Sequence, residues 1–185
     1  MVKVNPDQRL FILGQVFSMS MMATAQRGRV YREGVTEHER LLLRAGLQVR
    51  LEQLLPRYVH PVCDSAHLEN IENLAEEMSS SGQCVLRGAR FRIGSAQKVL
   101  NLYLKYFWCL GEIATPPHCP FDSLVLARVP KCQYVRWTQL DSMAEYARIV
   151  DAAREVAGDV PLAEWELRLY NEILARPTFA IDFGQ

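Results

Sequence analysis

Apolar side chains recur at spacings of three and four along almost the whole chain, and helix-starting and helix-stopping residues close off each run. That period commits the chain to helices that each bury one face, since a strand requires alternation by two. Asn5-Pro6-Asp7-Gln8 supplies an N-cap, a proline at the first helical position and a Gln at the third, ahead of Leu10, Leu13, Phe17 and Met21. Thr36-Glu37-His38-Glu39 is a capping box, and Leu43, Leu47, Leu51, Leu54 and Leu55 carry one face to the stop at Pro56. Asp64-Ser65 caps an acidic helix ending near Gly82.

The strongest helix runs from Ala96 to Leu110, opened by Gly94-Ser95 and closed by Gly111. Val99, Leu100, Tyr103, Phe107 and Leu110 form its face, broadened by Leu102 and Tyr106. Pro120 predicts the start of another helix, with Asp122 in its first turn. Thr138 to Asp141 begins one that carries Met143, Tyr146, Ala147, Ile149, Val150 and Val156. Pro161 begins the last, with Leu162, Trp165, Leu169 and Ile173 on one face and Pro177 as its stop. The fold class is therefore mainly α: a single-domain bundle of about seven helices, with loose alternation from Cys84 to Ile93 around Gly88 allowing one short β-hairpin. The 185 residues form one helical domain, 1–185, or two lobes, 1–82 and 83–185.

Five cysteines at wide spacing, with no Cys-x-x-Cys, argue against a disulfide framework and for a reducing cytoplasm. Lys3 and Arg9 before the apolar run Leu10–Met22, followed by Ala23-Thr24-Ala25, resemble a secretion signal. Pro6, Asp7, Gln15, Ser18 and Ser20 interrupt that pattern and weigh against secretion, and residues 10–25 are left as either a core helix or a targeting segment. No run reaches the apolar length of a membrane span, and no membrane partner is expected.

The 21 basic and 21 acidic residues cancel in total, which excludes a uniformly basic nucleic-acid binder, yet they are segregated. From Tyr58 to Leu86 there are five acids (Asp64, Glu69, Glu72, Glu76, Glu77) and no Lys or Arg. From Arg87 to Gly111 there are five bases (Arg87, Arg90, Arg92, Lys98, Lys105) and no acid, interleaved with aromatics that include Tyr106 and Trp108. Such a stretch binds phosphate by charge and bases by stacking, and the helix start after Ser95 offers backbone N–H groups to an anion. The first expectation is a binding module that takes nucleic acid or another phosphate-bearing ligand through residues 87–108. That expectation requires the cations to be open to water rather than matched by the chain's own carboxylates. Arg27, Arg29 and Arg32 form a second cluster, which alone reads as a solvated turn.

The alternative is a small enzyme. Thr115 to Ser123 holds His118, Cys119 and Asp122 among three prolines; a thiol at a helix N-cap is acidified, and Asp122 one turn on could orient His118. His60, Cys63, His118 and Cys119 would also satisfy a tetrahedral zinc, at a spacing unlike that of a finger. The carboxylates Glu112, Glu164 and Glu166 have no distinctive spacing. The nucleotide-binding, serine-hydrolase and zincin motifs are absent, and no cofactor is implied. A third expectation is a protein partner docking on the acidic helix Ser65–Met78.

Overall fold

The computed structural model describes residues 5–174. Lys3, the Arg27 and Ile173 side chains and Pro177 lie outside that description. Seven α-helices are present among the described residues: α1 (Pro6–Gly28), α2 (Glu37–Leu54), α3 (Asp64–Gly82), α4 (Ile93–Cys109), α5 (Ser123–Leu126), α6 (Met143–Ala157) and α7 (Leu162–Leu174). No strand accompanies them, so the class is mainly α.

The local signals act as their chemistry requires. Asn5 accepts from the Gln8 amide at 2.8 Å while Gln8 Oε1 accepts from the Asn5 amide at 2.9 Å, closing the box that starts α1. Thr36 and Glu39 do the same for α2. Residues 10–25 lie in α1 and join the core: Val16, Phe17, Ser20, Met21 and Thr24 are buried, and α1 packs along α4. Ser20 and Thr24 survive in that interface because each hydroxyl donates to the carbonyl four residues back. Leu10, expected on the inner face, is 70% exposed, because α1 projects past the core at its N-terminal end.

α4 is the axis of the molecule. Every residue from Ile93 to Asn101 is buried, and α1, α3, α6 and the 3-10 turn Trp137–Gln139 all touch it. One apolar cluster extends from Val16 through α4 to Leu162. Trp137 sets how near that turn can come. A Cβ on Gly94 would lie 1.7 Å from the Trp137 carbonyl oxygen, and the Gly94 amide donates to Leu140 at 2.8 Å, so glycine is required by contact rather than by conformation.

Three expectations are corrected. The residues from Cys84 to Ile93 form a 3-10 turn, Arg87–Ala89, not a hairpin; Gly88 takes φ 67°, and the pairing present is one antiparallel bridge, Tyr31 to Leu86. Pro120 does not begin a helix. α5 is a four-residue turn of helix from Ser123, capped by Asp122, because Cys119 and Phe121 are pulled into the core just before it. α6 begins at Met143 under a Ser142 cap, since Leu140 turns inward and Asp141 is engaged elsewhere.

Replacing Gly94 with alanine should cost about 3 kcal/mol in a urea titration, because backbone rather than a flexible side chain must yield. Gly14→Ala in α1, where nothing lies within 4 Å of the added carbon, should be neutral or stabilising by up to about 1 kcal/mol.

Candidate functional site

Burial of α4 decides the fate of the cations it carries. Lys98 Nζ lies 2.8 Å from Asp122 Oδ2, with both side chains largely buried. Lys105 Nζ lies 2.6 Å from Glu166 Oε2 and 4.6 Å from the Tyr170 ring centre. Burial would raise the Asp122 carboxyl, and the Lys98 charge and hydrogen bond outweigh it, so its pKa is lowered. Burial raises Glu166 despite Lys105. These are internal ion pairs, and removing one partner would leave an uncompensated buried charge. Tyr106 and Trp108 are partly buried against the core, not presented as platforms. Lys98, Lys105, Tyr106 and Trp108 therefore leave the expected nucleic-acid surface, because the helix they occupy is interior.

The acidic block does not neutralise the basic one. Glu69, Glu72, Glu76 and Glu77 lie on the exposed side of α3, where Glu76 acts on Arg90 through space, and the carboxylates that pair directly with the basic block are Asp122, Asp141 and Glu166. The helix start after Ser95 is also occupied: the Ile93 amide donates to Asp141 at 3.3 Å and the Gly94 amide to the Leu140 carbonyl. An anion finds no free N–H groups there.

What stays open is a convergence of arginines. The Tyr31–Leu86 bridge, with Arg32 N donating to Val85 and Arg87 N to Val30, lays the turn after α1 beside the turn before α4. Arg29, Arg87, Arg90 and Arg92 then line one cleft together with Ser95 and Thr138. Arg90 is paired with Asp141 at 2.8 Å on the surface, where such a pair is weak. One Arg92 nitrogen donates to the Thr138 carbonyl at 3.1 Å, which spends a donor and keeps the charge. Glu76 is the other carboxylate acting on Arg90. Among the described residues, Arg90 is the one of the four that takes part in an ion pair. The enclosed space is about 10 Å³, room for one water, so a phosphate would rest at its mouth.

The enzyme expectation meets a different arrangement. His118, Cys119 and Asp122 do not form a triad: Asp122 turns to Lys98, and His118 turns to Asp64 Oδ1 at 2.7 Å and the Tyr146 hydroxyl at 2.8 Å. The Cys119 thiol is fully buried and its pKa is pushed well up by desolvation, the reverse of a reactive thiolate. The N-cap it was expected to occupy belongs to Asp122. Gln97 holds this loop by accepting from the Phe121 amide at 3.1 Å and donating to its carbonyl at 2.8 Å. Among the described residues no group of three His, Cys, Asp or Glu is placed to hold a metal; His60 and Cys63 are exposed, while His118 and Cys119 are interior.

His118 is one end of a buried polar chain whose direction can be derived. Asp64, ionised and held by Arg154, only accepts, so His118 Nε2–H donates to it. His118 Nδ1 then accepts from Tyr146, whose oxygen accepts from Asn101 at 3.2 Å. Asn101 Oδ1 accepts from His67 Nε2 at 2.9 Å, and His67 Nδ1 accepts from Tyr58 at 2.7 Å. Tyr58 in turn accepts from Asn70, which accepts from Arg57. Both rings are thus neutral with the proton on Nε2. Burial lowers the His67 pKa to about 3 and the His118 pKa to about 4, and Asp64 offsets only part of the effect on His118. Burial would raise Asp64, but Arg154 and His118 hold it low. Sequence reasoning missed Asp64, His67, Asn70, Asn101, Tyr146 and Arg154. The available signal was His67 and Asn70 falling on the same α3 stripe as Ile71, Leu74 and Met78.

Comparison with known protein families, characterised proteins and solved structures finds no match to this chain.

Acid should act through the two imidazoles. Below the ordinary pKa of 6.5 an unfolded chain binds protons that native His118 refuses until about 4 and His67 until about 3. The unfolded state then holds more protons, so stability falls as pH drops from 6.5 toward 3, with a slope approaching two protons in urea titrations. Nitrogen NMR of labelled histidine should show both rings protonated at Nε2 near neutrality. For the thiols, Cys63, Cys84 and Cys109 should react with Ellman's reagent in the native protein. Cys63 should lead, because Ser65 lowers its pKa, and Cys119 should respond only on unfolding.

Proposed function

We propose that the protein is a helical binding module for a phosphate-bearing polyanion, with nucleic acid as the ligand class, and that Arg29, Arg87 and Arg92 make the contact, assisted by Arg90. The observation that carries this reading is the convergence of arginines from two distant segments on one cleft, where among the described residues Arg29, Arg87 and Arg92 form no ion pair. The other cations of the basic block are consumed inside, which makes the open ones more telling. Arginine suits the role, since its planar fork meets phosphate oxygens two at a time.

The small enclosed space favours an anion presented by a larger molecule over a small ligand swallowed whole. Contact with phosphate alone positions a polyanion without reading its sequence, so the module binds with little base preference at this cleft. A reducing compartment, the cytoplasm, goes with the reading, because Cys63, Cys84 and Cys109 are exposed free thiols.

Affinity for a DNA or RNA oligonucleotide, followed by fluorescence anisotropy, should fall linearly in log–log terms with salt, at about −0.7 to −0.9 per phosphate neutralised. Arg29→Glu with Arg87→Glu should abolish binding without unfolding the protein, since both residues are exposed. Arg168→Glu, on the exposed face of α7, should change affinity by less than about twofold. Salt-independent binding, or equal affinity of the double variant, overturns the proposal.

A further inference from the structure

The loop from Ala127 to Arg136 is built unlike a passive connection. Its chain folds into consecutive tight turns: the Arg128, Val129, Cys132 and Val135 amides each donate to a carbonyl three residues back. Val129 is fully buried, Cys132 nearly so, and Trp137 just beyond is 2% exposed. Lys131 takes a left-handed φ of 64°, a conformation that costs a non-glycine residue free energy and here lets the chain reverse between the two anchors. Between those anchors Tyr134 stands 95% exposed. The pinned turn offers a large aromatic to solvent from a fixed point of the backbone, at a cost that burial of the same ring would have avoided.

Beside it lies a hollow of about 540 Å³, the size that holds a nucleoside, walled by Tyr134 with Lys131, Arg136, Gln139 and Glu145. The chain segment Arg136–Leu140 contributes to both the hollow and the arginine cleft. Thr138 borders the cleft, while Arg136, Gln139 and Leu140 border the hollow. The Leu140 carbonyl is fixed by the Gly94 amide, and the next residue, Asp141, holds Arg90. The arginine cleft and the hollow beside Tyr134 are therefore joined by one short segment that hydrogen bonds hold to α4.

We infer that this protein binds a single-stranded nucleic acid, with a base stacked on Tyr134 in the Lys131–Arg136 hollow and its neighbouring phosphates on Arg29, Arg87 and Arg92. The inference deepens the polyanion reading and rests on it. In a duplex the faces of the bases are covered by their neighbours, so an exposed ring beside a cationic cleft gains from a strand whose bases are free to splay. Gln139 and Glu145 offer hydrogen-bonding groups at the hollow, while stacking tolerates every base. Lys131 and Arg136 keep the backbone attracted at the hollow.

The test compares single-stranded and duplex oligonucleotides of equal length, ~12 nucleotides or base pairs, by anisotropy at low salt. The single strand should bind at least about fivefold more tightly. Tyr134→Ala should weaken single-strand binding by roughly tenfold while leaving duplex binding unchanged, and Tyr134→Phe should retain it. Because Tyr134 is almost wholly exposed, neither substitution should disturb folding, which circular dichroism checks. If duplex binds as well as single strand and Tyr134→Ala has no effect while Arg29→Glu/Arg87→Glu abolishes both, the single-strand inference is overturned and the polyanion reading stands. If the arginine substitutions leave all binding intact, both are overturned.

Discussion

A helix buried along most of its length must answer every polar group it carries, and α4 carries many. Gln97, Lys98, Asn101 and Lys105 lie on a segment that is interior from Ile93 through Asn101 and flanked by other elements beyond it. Each is matched from a different part of the chain: Gln97 by the Phe121 backbone, Lys98 by Asp122, Asn101 by His67 and Tyr146, Lys105 by Glu166. Apolar packing would tolerate several ways of laying helices around such an axis, whereas four polar side chains with five distant partners admit few. Removing any partner costs a desolvated group rather than one net hydrogen bond, so the register of α3, the His118 loop, α6 and α7 on α4 is specified together.

The buried imidazoles extend that logic. His67 and His118 rings sit 4.5 Å apart, edge to face, and two charged rings at that distance would repel. Keeping both neutral lets Tyr58, Asn101 and Tyr146 pass hydrogen bonds in one direction, from Arg57 at one surface to Asp64 at another. A proton on His118 Nδ1 would turn the acceptor of the Tyr146 bond into a donor and break the chain there. The network couples three helices, α3, α4 and α6, to the 115–123 loop through groups that all require one protonation state.

The helices were legible because their periods, caps and prolines are local: the boxes at Asn5 and Thr36 and the face at Leu43, Leu47 and Leu51 need no knowledge of the rest of the chain. The segment from Cys84 to Ile93 was misread because loose alternation around a glycine fits a turn as well as a hairpin, and the partner that decides, Tyr31, is far away in sequence. The site was legible in part. Charge segregation marked Arg87, Arg90 and Arg92, which stay at the surface, together with Lys98 and Lys105, which the fold turns inward to Asp122 and Glu166. Linear sequence does not say that Lys98 and Lys105 face inward, because a lysine on an apolar face reads as a snorkelling surface residue until its carboxylate is known. His118, Cys119 and Asp122 were grouped because they are adjacent, and adjacency is what sends their side chains to three different places.

The same separation explains why the open charge sits where it does. Four guanidinium groups brought together repel, and the Asp141 and Glu76 carboxylates relieve only part of that. Repulsion alone would let the turn after α1 drift from the turn before α4. Two backbone hydrogen bonds at the Tyr31–Leu86 bridge hold them together instead, with Val30 and Leu86 buried beneath. The core thus supplies the restraint and the surface carries the strain of unbalanced charge. An anion bound as proposed would relieve that strain, which would link binding at this cleft to the stability of this corner.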